Sequence, residues 1–145
     1  MSQPHVTLQA VTKVFPATRE RAALHAVGPV DLEIAKGEFL AVVGPSGCGK
    51  STLLDLVAGL TEATAGSVAF EGRRIGSTIP DGVGVVFQED ACFPWLDVAA
   101  NVGFGLRGGG HGSAERRRRV QAALVLMGLV DFASSYPAQL SGGMR

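Results

Sequence analysis

The residues best suited to chemistry stand in one run of nine, Gly44-Pro45-Ser46-Gly47-Cys48-Gly49-Lys50-Ser51-Thr52. The run fits the pattern GxxxxGK[ST], and each position has a mechanical reason. Glycines let a backbone wrap closely round an anion so that its N–H groups face inward. A helix opening near Ser51 adds the partial positive charge of its N-terminus. Lys50 is long enough to reach the outer phosphates of a nucleotide, and the Ser51 hydroxyl is a hard oxygen for Mg²⁺. The chain has 20 Gly, 3 Lys and 16 Ser plus Thr among 145 residues. Composition alone would then produce the pattern with a probability of about 4 × 10⁻⁵ per position, under roughly one per cent over the chain. Chance is the weaker explanation. The run reads as a nucleotide-phosphate site.

Such a loop needs a strand before it and a helix after it, and the pattern supplies both. Phe39-Leu40-Ala41-Val42-Val43 is a fully apolar run of strand length. Ser51–Ala58 consists of good helix formers and meets Gly59, a natural stop. Upstream, Val6, Leu8 and Ala10 alternate with polar residues, as do Val30, Leu32 and Ile34, which predicts two half-buried strands. The polar stretch from Pro16 to Ala23 then joins them in hairpin fashion. Strand patterns return at residues 67–71 and 82–87. After Gln88 the character changes: residues 97–106 read as a helix, Gly108-Gly109-Gly110 as a break, and 114–127 as a second helix ending at Gly128. The expected architecture is α/β, with a β-rich phosphate-loop core over residues 1–88, a helical subdomain over 89–140 and a short closing segment over 140–145.

Thirteen basic and thirteen acidic side chains cancel, which removes any global argument for a nucleic-acid partner. The balance is uneven along the chain: residues 1–104 hold 7 basic and 11 acidic groups, residues 105–145 hold 6 and 2. Most of the late excess is Arg116-Arg117-Arg118-Arg119. At the start of a helix these four would fan round its axis, which favours a solvated face over one focused phosphate clamp; anionic lipid headgroups are the other candidate contact. Cys48 and Cys92 lie 44 positions apart, without a CxxC pair or a His at ligand spacing. A disulfide framework or zinc site is not expected, and a reducing compartment is. His5, His25 and His111 are scattered. No signal peptide and no apolar run near the roughly 18 residues of a membrane span is visible.

Leu140-Ser141-Gly142-Gly143-Met144 closes the chain, with Ser141 lying 97 positions beyond Gly44 and Val85-Val86-Phe87-Gln88 between. Phosphate loop, Gln and LSGG in this order make the sequence resemble the nucleotide-binding domain of ATP-binding cassette (ABC) transporters over essentially its whole length. The resemblance implies a P-loop NTPase core of the ABC ATPase type, with an N-terminal antiparallel β part and an inserted helical subdomain. It implies ATP and Mg²⁺ as cofactors, with Gly44 to Thr52 on the phosphates and Ser51 and Gln88 at the metal. Phe15 would stack on adenine; the alternative is a core residue ending the first strand. Gln88 would also contact the attacking water and sense the membrane partner; an exposed Gln at a strand end is the plainer reading. Ser141, Gly142 and Gly143 would close over the γ-phosphate held by a second copy of the subunit, since a hydroxyl and free glycine N–H groups before a helix make an anion site. Met144 replaces the commoner Gln and leaves those groups intact.

Within that family, Cys92-Phe93-Pro94-Trp95-Leu96, then Asn101-Val102 and Gly105-Leu106, is similar to importers for nitrate, taurine and alkanesulfonates. Phe93 and Trp95 have a packing role as their alternative. The implied protein is an importer ATPase on the cytoplasmic face of the membrane, peripheral, bound to permease subunits and served by a periplasmic or extracellular solute-binding protein. Competing classes are a soluble ABC ATPase of DNA repair or translation and a non-catalytic nucleotide-binding module. The family also uses an apolar strand ending in Asp-Glu after the signature, and this chain stops at Arg145. It therefore reads as an N-terminal part, with the C-terminal part of the core missing, no catalytic Glu and no activity alone. Strands after the signature flank the phosphate-loop strand in that family. Leu40, Val42 or Val43 is accordingly expected to be more exposed than a buried strand allows.

Overall fold

A computed structural model describes residues 4–88 and 91–145. The chain forms two units, one up to Val85 and one from Val86 to Arg145.

The first unit is built on the two alternating segments. They form β1 (Val6–Phe15) and β2 (Leu24–Ile34), paired antiparallel with Leu8 opposite Leu32. Residues 65–70 and 73–75 add β3 (Ala65–Phe70) and β4 (Arg73–Ile75), giving an antiparallel sheet in the order β2-β1-β3-β4. The register slips between Leu8 and Val11 on β1. At that bulge Ala10 takes a positive φ of 46° and gives its N–H to the Asp31 carboxylate at 2.7 Å. Opposite it, a Cβ on Gly66 would lie 2.4 Å from the carbonyl oxygens of Gln9 and Ala10, so only glycine lets the strands approach there. One sheet face carries Val6, Leu8, Val11, Val27 and Val68, all buried. The helix α1 (Lys50–Ala58) covers that face with Leu56, flanked by Leu53 and Val57. These aliphatic side chains stabilise by about 1.5–3 kcal/mol each when fully buried.

The apolar run 39–43 does not become a strand. No backbone ladder among the described residues pairs with it, and it lies open, Phe39 at 93% and Val43 at 87% exposure. Leu40 and Val42 are exposed as well, as expected for a strand without neighbours. Residues 82–87 fail in the same way, with Val86 at 93%. Apolar runs of this kind need ladder partners on their edges, and neither joins the antiparallel sheet.

In the second unit the expected helix over 97–106 is shorter. Its start is as read: Asp97 caps α2 (Val98–Val102) by accepting the Ala100 N–H at 2.7 Å. Gly103 ends it, and Phe104–Leu106 make a single tight turn. The next free donors of α2 are taken by the chain that returns beside it, Val98 N–H to the Ser135 carbonyl and Ala99 N–H to that of Ala133, each at 2.9 Å. The helix α3 (Ser113–Leu126) packs on α2, and Val98 and Leu124 are buried.

Candidate functional site

The loop that the sequence marks as a candidate phosphate site runs from Gly44 into the first turn of α1. Gly49 caps the helix with a φ of 92°, and a Cβ there would stand 2.2 Å from the Ala26 carbonyl oxygen. The loop is thus pressed onto β2, and glycine is required both by conformation and by space. Cys48, Gly49 and Lys50 share a cleft with His25 to Gly28 of β2. The first helical bond of α1 is Leu53 N–H to the Gly49 carbonyl at 2.8 Å. The N–H groups of Gly47, Gly49, Lys50, Ser51 and Thr52 find no acceptor among the described residues. They are the orphan donors of a helix N-terminus, a ready place for an anion.

Lys50 folds back across this loop. Its Nζ donates to the carbonyls of Gly44 at 2.9 Å and Pro45 at 2.7 Å, and stands 3.6 Å from the Cys48 Sγ. The ammonium is therefore held at the loop by bonds that an incoming phosphate can replace. Ser51 is exposed at the same helix end, and the first turn of α1 carries no acid. No group of three or more His, Cys, Asp or Glu able to hold a metal ion occurs among the described residues. The donor set suits Mg²⁺ only as a guest that brings phosphate and water oxygens with it, Ser51 adding one hard ligand.

Phe15 lies in the same unit at the end of β1, opposite Leu24. Its ring is 41% exposed rather than in the core, and Lys13 Nζ stands 5.3 Å from its centroid while donating to the Glu62 carbonyl at 2.7 Å. Gln88 belongs to the second unit and is exposed in an irregular bend. Glu89 and Asp90, where the helical subdomain was expected to begin, lie outside the described residues. Ser141 precedes the single turn Gly142–Met144 and accepts the Met144 N–H at its carbonyl, 3.0 Å away. The Ser141 hydroxyl makes no cap bond, and Ser141, Gly142 and Gly143 are all exposed.

Asn101 has a task that its place in the sequence does not announce. Its side-chain oxygen accepts the Phe93 N–H at 2.8 Å, and its Nδ2 donates to the carbonyls of Phe93, Leu96 and Asp97 at 3.1, 2.9 and 3.0 Å. One amide thus closes the turn from Phe93 to Asp97 onto α2. Phe93 packs on Phe104 with ring centroids 4.2 Å apart, whereas Trp95 is 70% exposed. Of the aromatic pair, Phe93 packs and Trp95 is presented outward.

The sequence pattern of ABC transporters matches residues 27–145. The chain belongs to the ABC transporter family. The cassette is 45% identical over 97% of its length to the taurine import ATP-binding protein of Pseudomonas aeruginosa, of which it covers 52%. It is 48% identical over 97% of its length to the spermidine/putrescine import ATP-binding protein of Frankia alni, covering 30% of that protein. It thus spans about half the length, or less, of these curated relatives. Among solved structures, the dimeric ATP-binding cassette MJ0796 in a post-hydrolysis state bound to ADP and Pi superposes with a TM-score of 0.81 at 32% identity, over 96% of this chain and 64% of that one. The fold is that of ABC ATPase cassettes, with the antiparallel β part expected from the sequence. No helix among the described residues is long and apolar enough to cross a membrane.

Proposed function

We propose that this cassette binds ATP and Mg²⁺ as the energy-supplying subunit of an importer for a small anion such as nitrate, taurine or an alkanesulfonate. The observation that carries the reading is the α1 N-terminus, where unclaimed N–H groups and Lys50 converge on one loop. The N–H groups of Gly47 and Gly49 to Thr52 hold the phosphate oxygens. Lys50 exchanges its loop carbonyls for the outer phosphates, and Ser51 supplies an oxygen to the metal. Bound Mg²⁺ offsets the negative charge that the phosphates carry into the loop. The face of Phe15 turned away from Lys13 receives the adenine. Gln88, exposed after the first unit, reads the state of the permease, and Ser141, Gly142 and Gly143 complete the site of a second copy. Hydrolysis would then open the paired subunits and move the permease between inward- and outward-facing forms, with a solute-binding protein delivering the anion.

The solute class rests on Pro94-Trp95 and Met144 and on the taurine-importer relative. Identity alone does not rank it, because the polyamine-importer relative is 48% identical. Uptake of labelled taurine and nitrate by cells carrying the full-length protein and its permease tests the reading. Uptake that fails in Lys50→Ala and is competed by sulfonates supports it. Uptake competed by spermidine and not by sulfonates overturns the solute.

A further inference from the structure

The four arginines that open α3 do not behave alike. Arg118 makes a bidentate pair with the Glu115 carboxylate, Nε and Nη2 each at 2.8 Å, and Arg119 Nε donates to the same carboxylate at 2.7 Å. These two share one carboxylate, which cancels one of their two charges. Arg116 and Arg117 form no ion pair with any described residue. Instead they line an open cleft between α2 and the first half of α3, together with Arg107 and Ser113. Arg107 reaches the cleft from the turn after Phe104, its guanidinium 5.2 Å from that ring's centroid.

Two further features make this cleft suited to anions. Gly112 caps α3 without a side chain, so the N–H groups of Ser113, Ala114 and Glu115 lack acceptors among the described residues. The acid in the cleft, Asp97, spends its Oδ1 on the Ala100 N–H. Three arginines and Ser113, the first residue of α3, therefore line one opening. The run was expected to be a solvated face, and Arg117, Arg118 and Arg119 are exposed; Arg117 and the half-buried Arg116 also line the cleft.

We propose that the α2–α3 cleft is a docking surface for the phosphates of anionic membrane lipids, with Arg107, Arg116 and Arg117 as its contacts. The proposal rests on the reading of the chain as a membrane-bound transporter subunit, which sets such headgroups within reach. Charge complementarity selects the anion. The exposed Phe104 beside Arg107 adds an apolar edge that suits a lipid boundary and would be idle against a free ion. Nucleic acid is a poor occupant, because the remainder of the chain carries the acidic excess.

Flotation of the chain with vesicles through a density gradient, which leaves self-associated protein behind, tests this, using phosphatidylcholine alone and an equal mixture with phosphatidylglycerol. Binding is expected to the mixed vesicles only and to weaken with added salt. Arg116→Gln/Arg117→Gln should weaken it roughly thirtyfold and Arg107→Gln about fivefold, the scale of single charges near an anionic surface. Arg73→Gln/Arg74→Gln removes the same formal charge from β4 and should change binding less than about threefold. Equal loss in both double variants overturns the proposal, as does equal binding to neutral vesicles. Displacement from the vesicles by inorganic phosphate at constant ionic strength would assign the cleft to a free anion and overturn the lipid. ATP binding measured on the same samples separates the two readings. Lost nucleotide binding with vesicle binding intact strikes the proposed function, and the reverse strikes the cleft alone.

Discussion

Lys50 holds its own loop together and, in the function proposed above, is also the cation that meets the phosphates. Its two bonds to the carbonyls of Gly44 and Pro45 draw the loop together around a positive charge. Lys50→Ala removes that charge while Gly49 still fixes the loop against β2. ATP affinity should fall by about 1.5–3 kcal/mol, the scale of a charge-assisted hydrogen bond, or roughly ten- to 150-fold. Calorimetry with Mg-ATP measures it, and unchanged affinity would remove Lys50 from the site. At this scale the sequence was most informative, because the spacing of Gly, Lys and Ser encodes the loop directly. Asn101 was not legible as a latch, since its four bonds go to backbone groups that any residue would offer. The division of the arginine run was hidden too, because it depends on which rotamers let Arg118 and Arg119 share Glu115.

Among the elements, α1 and α3 follow their patterns to within a residue because helices answer to local spacing and to Gly59 and Gly128 at their ends. The strands β1 and β2 run longer than their alternation, since the bulge at Ala10 shifts the register and hides the continuation. Three-residue β4, with two arginines, carries no pattern at all. Leu56 is the point where α1 and the sheet meet. Leu56→Ala should destabilise the first unit by about 2–5 kcal/mol, read as a lowered urea midpoint. A change under about 0.5 kcal/mol would mean that α1 does not cover the sheet. On α3, hydrogen bonds from Arg118 and then Arg119 hold the Glu115 carboxyl down from 4.5 to about 2. A carboxylate depressed on folding favours the folded helix above pH 4.5, and that contribution fades as the pH falls toward 2. The pair is exposed, so the effect on stability is small and the titration itself is the useful observable. Carbon NMR should place the Glu115 midpoint near 2, moving to near 4.5 in Arg118→Gln/Arg119→Gln.

For the whole molecule, composition correctly indicated a chain able to build a core, but not where apolar surface would remain. Phe39, Val43 and Val86 combine high exposure with strand-like sequence. Apolar edges of that kind are an aggregation hazard. The purified 145-residue chain should therefore associate as its concentration rises, and light scattering should report it. It should bind Mg-ATP without hydrolysing it, because no cluster of acids able to complete the metal's ligands occurs among the described residues. Steady Mg-dependent phosphate release from a monodisperse sample would refute both expectations. The roles proposed for Gln88 and Ser141 rest on order along the chain, a signal that names partners but not positions.

The order of the sheet also has a consequence for synthesis on the ribosome. Both long strands, β1 and β2, emerge before residues 39–43, yet β1 takes its second neighbour only when β3 has been made, with Val6 finally opposite Phe70. Throughout that interval the nascent chain holds its most adhesive stretch outside any finished structure, and it still does so after β4 has closed the sheet. Chaperones recognise extended apolar segments of this description. The yield of this protein in a cell is then governed by how fast residues 39–43 are captured, a matter of rates rather than of the stability of the sheet.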